Sequence, residues 1–213
     1  MAKGSRGGKG KKGGGLNPKN IGNTTSLVSA RESKPKEVDE VLGVSRDLYD
    51  KYGAEIGDFV LAELKGKDKN STLAYFSRNA DQIGFNTNFF DAKLANDVYD
   101  KDVAAGHHPS RGNKTGLEAI AAHEFGHSIT VAVAKKAGLA DPNCDNGASF
   151  ILRRAVMSSK YGKIGNAKKI SGYADYSNAE TIAEAFADVY CNGKKANGYS
   201  RAIVDVIDTY LKK

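Results

Sequence analysis

The sequence predicts an α+β domain, mostly helical, with a small mixed sheet packed on one central helix. Three observations carry this. Apolar residues recur at helical spacing in several long runs, of which Thr115 to Ala137 is the most continuous. Only two short segments, Thr72 to Phe76 and Gln82 to Phe90, place β-branched or aromatic residues between Asn, Asp and Gly breakers. Finally, 213 residues that are 40% hydrophobic can bury one sizeable core, and no internal repeat divides them.

In chain order, residues 1–15 hold seven glycines and five basic side chains, with nothing apolar beyond Met1 and Ala2. Such a segment cannot offset the entropy of ordering and is expected to be disordered. Residues 17–35 read as an extended linker in which only Leu27 and Val28 can dock, so a basic tail and linker over 1–36 precede one domain over 37–213. Val38 to Tyr52 is amphipathic, with Val41, Leu42, Leu48 and Tyr49 facing inward, and Ala54 to Leu64 reads as a short helix burying Ile56, Phe59, Val60 and Leu64. Past the two strands, Lys93 to Val103 is a turn or helix, and Gly106 to Gly116 is a polar loop. Thr115 with Glu118 forms a capping-box signature, and Gly138 stands where a left-handed residue ends a helix; together they bound the central run. After a turn at Asp141-Pro142-Asn143, Ala148 to Ser159 is expected to be helical through Phe150, Ile151, Ala155 and Val156. A Lys-rich connector follows, then helices beginning near Ser177 or Asn178 and near Arg201.

The central run contains His123-Glu124-Phe125-Gly126-His127. Four helical residues make slightly more than one turn, so both imidazoles share a face and can converge on one ion, with Glu124 beside it. Two neutral imidazoles and a nearby carboxylate that does not bind the metal are what a hydrolytic zinc site requires, the ion acidifying a water whose proton the carboxylate takes. A third protein ligand is needed, and the chain has no histidine after His127. The candidates are Glu180, Glu184 and Asp188, spaced by four on one face of the helix starting near Asn178, while Ile182, Ala183, Phe186, Val189 and Tyr190 form its apolar side. Acids stacked in this way repel one another unless a cation or histidine lies near; a solvated acidic face is the bland alternative. Glu180 has a competing use, since Ser177 with Glu180 is also a capping-box signature.

The HEFGH segment, followed about fifty residues later by Tyr173 and by Asn178-Ala-Glu-x-x-Ala-Glu-Ala-Phe, resembles the catalytic signature of anthrax-lethal-factor-type gluzincins and of zincin-like domains encoded in bacteriophage head modules. The resemblance spans roughly residues 80 to 190 and includes Ile83-Gly-Phe-Asn86 and His108-Pro109. It implies a zincin-like fold, Glu180 as third ligand, Glu184 as the acid behind the ligands, and Tyr173 as the phenol that stabilises the transition state. A physical argument agrees on the order of the two glutamates. If Glu180 binds zinc, Glu184 one turn on can reach a ligand histidine and fix its ring, whereas ligation by Glu184 would leave that task to the shorter Asp188. The expected activity is zinc-dependent hydrolysis of a peptide or protein substrate, with Glu124 as general base and Tyr176 as the alternative phenol. Residues Ile83 to Asn86 are expected to form the exposed sheet edge along which the substrate lies. His107 and His108 are read as surface residues of a loop near the substrate edge, with no metal role.

Charge and cysteine content constrain partners and compartment. Residues 1–36 carry nine lysines and arginines against one glutamate, a net +8, which leaves −1 for the rest of a chain whose total is +7. A disordered cationic arm attracts nucleic acid or an acidic surface, although no aromatic residue is interleaved to stack on bases. Two cysteines, Cys144 and Cys191, are too few for a disulfide framework and are expected to be free thiols in a reducing compartment. No run is long and apolar enough to span a membrane, and no secretory signal is visible, so a cytoplasmic or virion-associated protein is expected. The alternative function is a virion or nucleic-acid-binding structural protein in which the zinc site is structural or inactive.

Overall fold

Helix α4 (Gly116–Lys136) is the element around which the others are arranged. The computed structural model describes residues 18–53, 58–77, 81–157 and 166–212. Over these the chain runs β1 (Ile21–Ser26), α1 (Leu27–Ala30), α2 (Pro35–Tyr52), β2 (Asp58–Leu64), β3 (Ala74–Ser77), β4 (Gln82–Asn86), α3 (Ala92–Ala104), α4, α5 (Cys144–Met157), α6 (Asn178–Asn192) and α7 (Gly198–Leu211). The architecture is α+β, mostly helical with a small mixed sheet. Among the described residues no helix is long and apolar enough to cross a membrane.

α4 begins at the anticipated capping box, in which the Thr115 hydroxyl accepts from the Glu118 backbone N–H and the Glu118 carboxylate accepts from the Thr115 N–H. It ends before Gly138, whose φ of 70° lies in the left-handed region that a side chain disfavours. Helices α2, α3, α5, α6 and α7 and strand β3 all pack on it, so its buried residues run around nearly the whole circumference. The core is continuous through Leu117, Phe125 and Ile129 of α4, Ile151 of α5, Ile182 of α6 and Ile203 and Ile207 of α7, each essentially inaccessible.

The sheet order is β1-β2-β4-β3: β2 and β4 are parallel, and the outer pairs are antiparallel. One face meets the helices, with Phe59 of β2 against Phe125 at 5.3 Å between ring centroids. The other face carries a smaller cluster of Ala62, Leu64 and Tyr75.

Several expectations are corrected. Over its described residues the linker is structured: β1 pairs with β2, and Leu27 is buried although Val28 is exposed. The helix expected over 54–64 is strand β2 from Asp58 onward, with Val60, Ala62 and Leu64 buried at period two on the face away from the helices and Phe59 and Leu61 on the face toward them. The strand expected over 82–90 stops at Asn86, which turns the chain by accepting from the Asn88 N–H. Strand β4 is internal to the sheet, whose edge strands are β1 and β3, and β3 is the edge that packs on α4. In α2 the inward residue at the end is Tyr52, its phenol donating to Asp208 at 2.8 Å, while Tyr49 is half exposed; Val156 of α5 also points outward. The disordered tail expected over 1–15, the Ile56 core position, the last two residues of the helix expected to reach Ser159 and the first part of the connector, residues 160–165, lie outside the described residues.

Phe85 on β4 is fully buried and meets Phe90 edge-on at 5.6 Å. Phe85→Ala is expected to cost about 3–5 kcal/mol, measured as a lower denaturant midpoint at unchanged slope.

Candidate metal centre

Helical geometry sets His123 and His127 on one face of α4, their ring centroids 5.1 Å apart. What brings an acid to them is the crossing of α6. At Gly126, between the two histidines, a Cβ would lie 2.7 Å from the Ala183 Cα, so only glycine permits this approach. Glu180, about one turn before that contact, then falls over the imidazoles. Its Oε2 lies 3.2 Å from His123 Nε2 and 3.5 Å from His127 Nε2, and the three donor atoms are all within 4.8 Å of one another.

These separations fit a divalent cation. Ligands about 2.0–2.1 Å from a tetrahedral zinc ion sit about 3.3–3.4 Å from each other. Glu180 Oε2 is also buried without an aligned hydrogen-bond partner among the described residues, despite its closeness to both rings. The three donor atoms are thus grouped without an aligned hydrogen bond between Glu180 Oε2 and either ring. The capping-box alternative for Glu180 is half realised: the Ser177 hydroxyl accepts from the Glu180 N–H at 3.1 Å, while the carboxylate is turned to the histidines.

Glu184 is 1% exposed and surrounded by donors. Its Oε1 lies 2.7 Å from His123 Nδ1 and 2.9 Å from His108 Nδ1, and its Oε2 accepts from the Ser171 hydroxyl at 2.7 Å. The His123 Nδ1 contact is close but off the N–H direction, leaving that atom without an aligned partner among the described residues. Asp188 is buried for a different reason: it accepts from the Asn192 side chain and the Asn197 N–H, tying α6 to the start of α7. The solvated acidic face is thus excluded for Glu184 and Asp188.

Electrostatics follow from these contacts. Burial raises Glu184, but the imidazoles of His108 and His123 close to its oxygens outweigh it and hold the carboxyl at about 2. Burial likewise opposes ionisation of Glu180, yet the two imidazoles keep it well below the ordinary carboxylate range. Burial lowers His123, and Glu180 and Glu184 more than reverse this, so its imidazole is raised well above its usual value. Glu124, 7% exposed and outside the three-donor cluster, is raised, chiefly by burial.

Tyr173 opens a single 3₁₀ turn, Tyr173–Asp175, and its ring lies 5.8 Å from His123. Burial, then the charges of Glu180, Glu124 and Glu184, push its phenol upward. Tyr176 is half exposed and packs near Tyr173. Both phenols, with His123, Glu124 and Leu73 and Ala74 at the start of β3, line a cavity of about 530 Å³.

Comparison with protein-family models, curated proteins and solved structures finds no match. The site therefore stands on its geometry. The structure brings together His123, His127 and Glu180 as anticipated, places Glu184 behind His123, and sets Glu124 and Tyr173 at the cavity. The residue sequence reasoning missed is His108. Far from being a surface residue, its side chain is 17% exposed and stacked on Tyr99 at 5.2 Å. Only the need of a buried Glu184 for further donors signals it, and that need is invisible until the burial is known. Cys144 and Cys191 are in no disulfide and lie outside the cluster, the Cys144 thiol meeting the His127 carbonyl at 3.6 Å.

Glu184→Gln is expected to weaken zinc binding by about 10- to 100-fold, read by chelator competition. Gly126→Ala should push α6 from α4, lowering zinc affinity and melting temperature together in the same competition and a thermal melt.

Proposed function

We propose that this chain is a zinc-dependent peptidase of the zincin kind, with His123, His127 and Glu180 as ligands and Glu124 as general base. The single observation that supports the reading is the grouping of three donor atoms, with Glu180 Oε2 at 3.2 and 3.5 Å from the two rings, next to a buried carboxylate, Glu124, that lies outside the cluster. A zinc ion held there would supply Lewis acidity toward a water and a scissile carbonyl.

The chain's own groups do the rest. Glu124 takes the proton of the attacking water and hands it to the leaving amine; burial lifts its carboxyl toward the range in which both transfers are efficient. Tyr173 keeps its phenolic proton because burial and the neighbouring carboxylates oppose ionisation, so it donates to the carbonyl oxygen as charge develops there. A donor in that role is commonly worth about 3 kcal/mol. Tyr176, whose ring neighbour is Tyr173 and which stands half exposed, is less well placed for it.

An extended peptide is the substrate shape that fits. Strand β3 is an edge of the sheet, with no further strand beside it among the described residues, Phe76 of β3 stacks on His127 at 6.5 Å, and Ala74 lines the cavity. A purely structural zinc would call for a fourth side-chain ligand, and among the described residues the cluster holds three.

Two variants test the reading. Elemental analysis should find one zinc per chain, falling to substoichiometric levels in Glu180→Ala. Glu124→Gln should keep its zinc and lose peptide cleavage by at least about 100-fold; cleavage equal to wild type would exclude Glu124 as base.

A further inference from the structure

His108 has two polar ends with different surroundings. Nδ1 meets Glu184 Oε1 at 2.9 Å, in the buried interior of the site. Nε2 has no protein partner among the described residues, yet it is not sealed from solvent, and the ring lines the same cavity as Glu124 and Tyr173. The ring itself is held: it stacks on Tyr99 at 12° between planes and lies 5.3 Å from Tyr173. The loop that carries it is tied to the Tyr173 segment by Gly172 N–H to Gly106 O at 2.7 Å and Tyr173 N–H to His107 O at 3.0 Å.

An ionised carboxylate can only accept, so a neutral His108 carries its proton on Nδ1 and presents a bare lone pair from Nε2. Carbonyl groups have nothing to offer such an atom, but a peptide N–H does. We infer that His108 is a substrate-positioning residue that accepts a main-chain N–H of the bound peptide through Nε2, with Glu184 fixing the tautomer. The inference rests on the peptidase reading for its ligand class. It assigns Glu184 two clients, the ligand imidazole of His123 and the substrate-facing imidazole of His108.

Two substitutions separate this from a merely structural role, because each amide reproduces one end of the imidazole. His108→Asn keeps a donor near Nδ1 for Glu184 and lacks the far end, whereas His108→Gln places a carbonyl acceptor near Nε2 and gives up the near donor. The probe is a pool of fluorescein-labelled, unstructured peptides of random sequence, titrated by anisotropy onto zinc-loaded protein in a Glu124→Gln background so that nothing is turned over. Binding should weaken about five- to tenfold in His108→Asn, the loss of one hydrogen bond, and stay within about twofold of the parent in His108→Gln. The opposite order, or equal affinities across the three proteins, overturns the inference. Cleavage of the same pool by the parent with Glu124 intact is scored separately: absent cleavage with the predicted binding order removes the peptidase reading and leaves His108 as a peptide-binding residue.

Discussion

The close crossing of α4 and α6 is the constraint on which the rest depends. Because Gly126 has no side chain, the Ala183 backbone can occupy the space where one would be, and Glu180 and Glu184 are delivered to opposite nitrogens of the same imidazole. A helix pair separated by an ordinary side chain would leave both carboxylates short of His123. The middle residues of the motif are thus structural in a specific sense: Phe125 anchors α4 to the sheet, and Gly126 sets the distance to the acids.

Burial gives those acids their character. Desolvation alone would favour neutral carboxyls and a neutral imidazole, but Glu180, Glu184 and His123 are close enough that their mutual charges prevail. Glu124 lacks such close partners and retains the upward shift that burial imposes. Glutamates on facing helices, with one backbone chemistry, are therefore given different tasks by their neighbours alone.

Much of this is legible in the sequence where local rules act alone. The spacing of His123 and His127, the Thr115 capping box and the four-residue spacing of Glu180, Glu184 and Asp188 each depend on one helix, and those helices form where they are expected. Sequence reasoning fails where two patterns coexist or a distant partner decides. In Phe59-Val60-Leu61-Ala62-Glu63-Leu64 the apolar positions satisfy both helical and alternating spacing, and pairing with β1 and β4 selects the strand. Ile21 to Ser26 has too few apolar residues to announce itself and is ordered by its ladder to β2. Asp188 looks equivalent to its two neighbours on the acidic face, but the start of α7 claims it. His108 belongs to the same class: well upstream of the motif in sequence, it joins the site only through a carboxylate on another helix.

The brevity of β3 has a consequence for the molecule as a solute. An open sheet edge invites a neighbouring copy to continue the ladder, and the hazard grows with the length of flat strand on offer. Ala74–Ser77 spans four residues, a poor template for continuing the ladder into a second copy. At this edge of the sheet the shortness of the strand limits the ladder that a second copy could add.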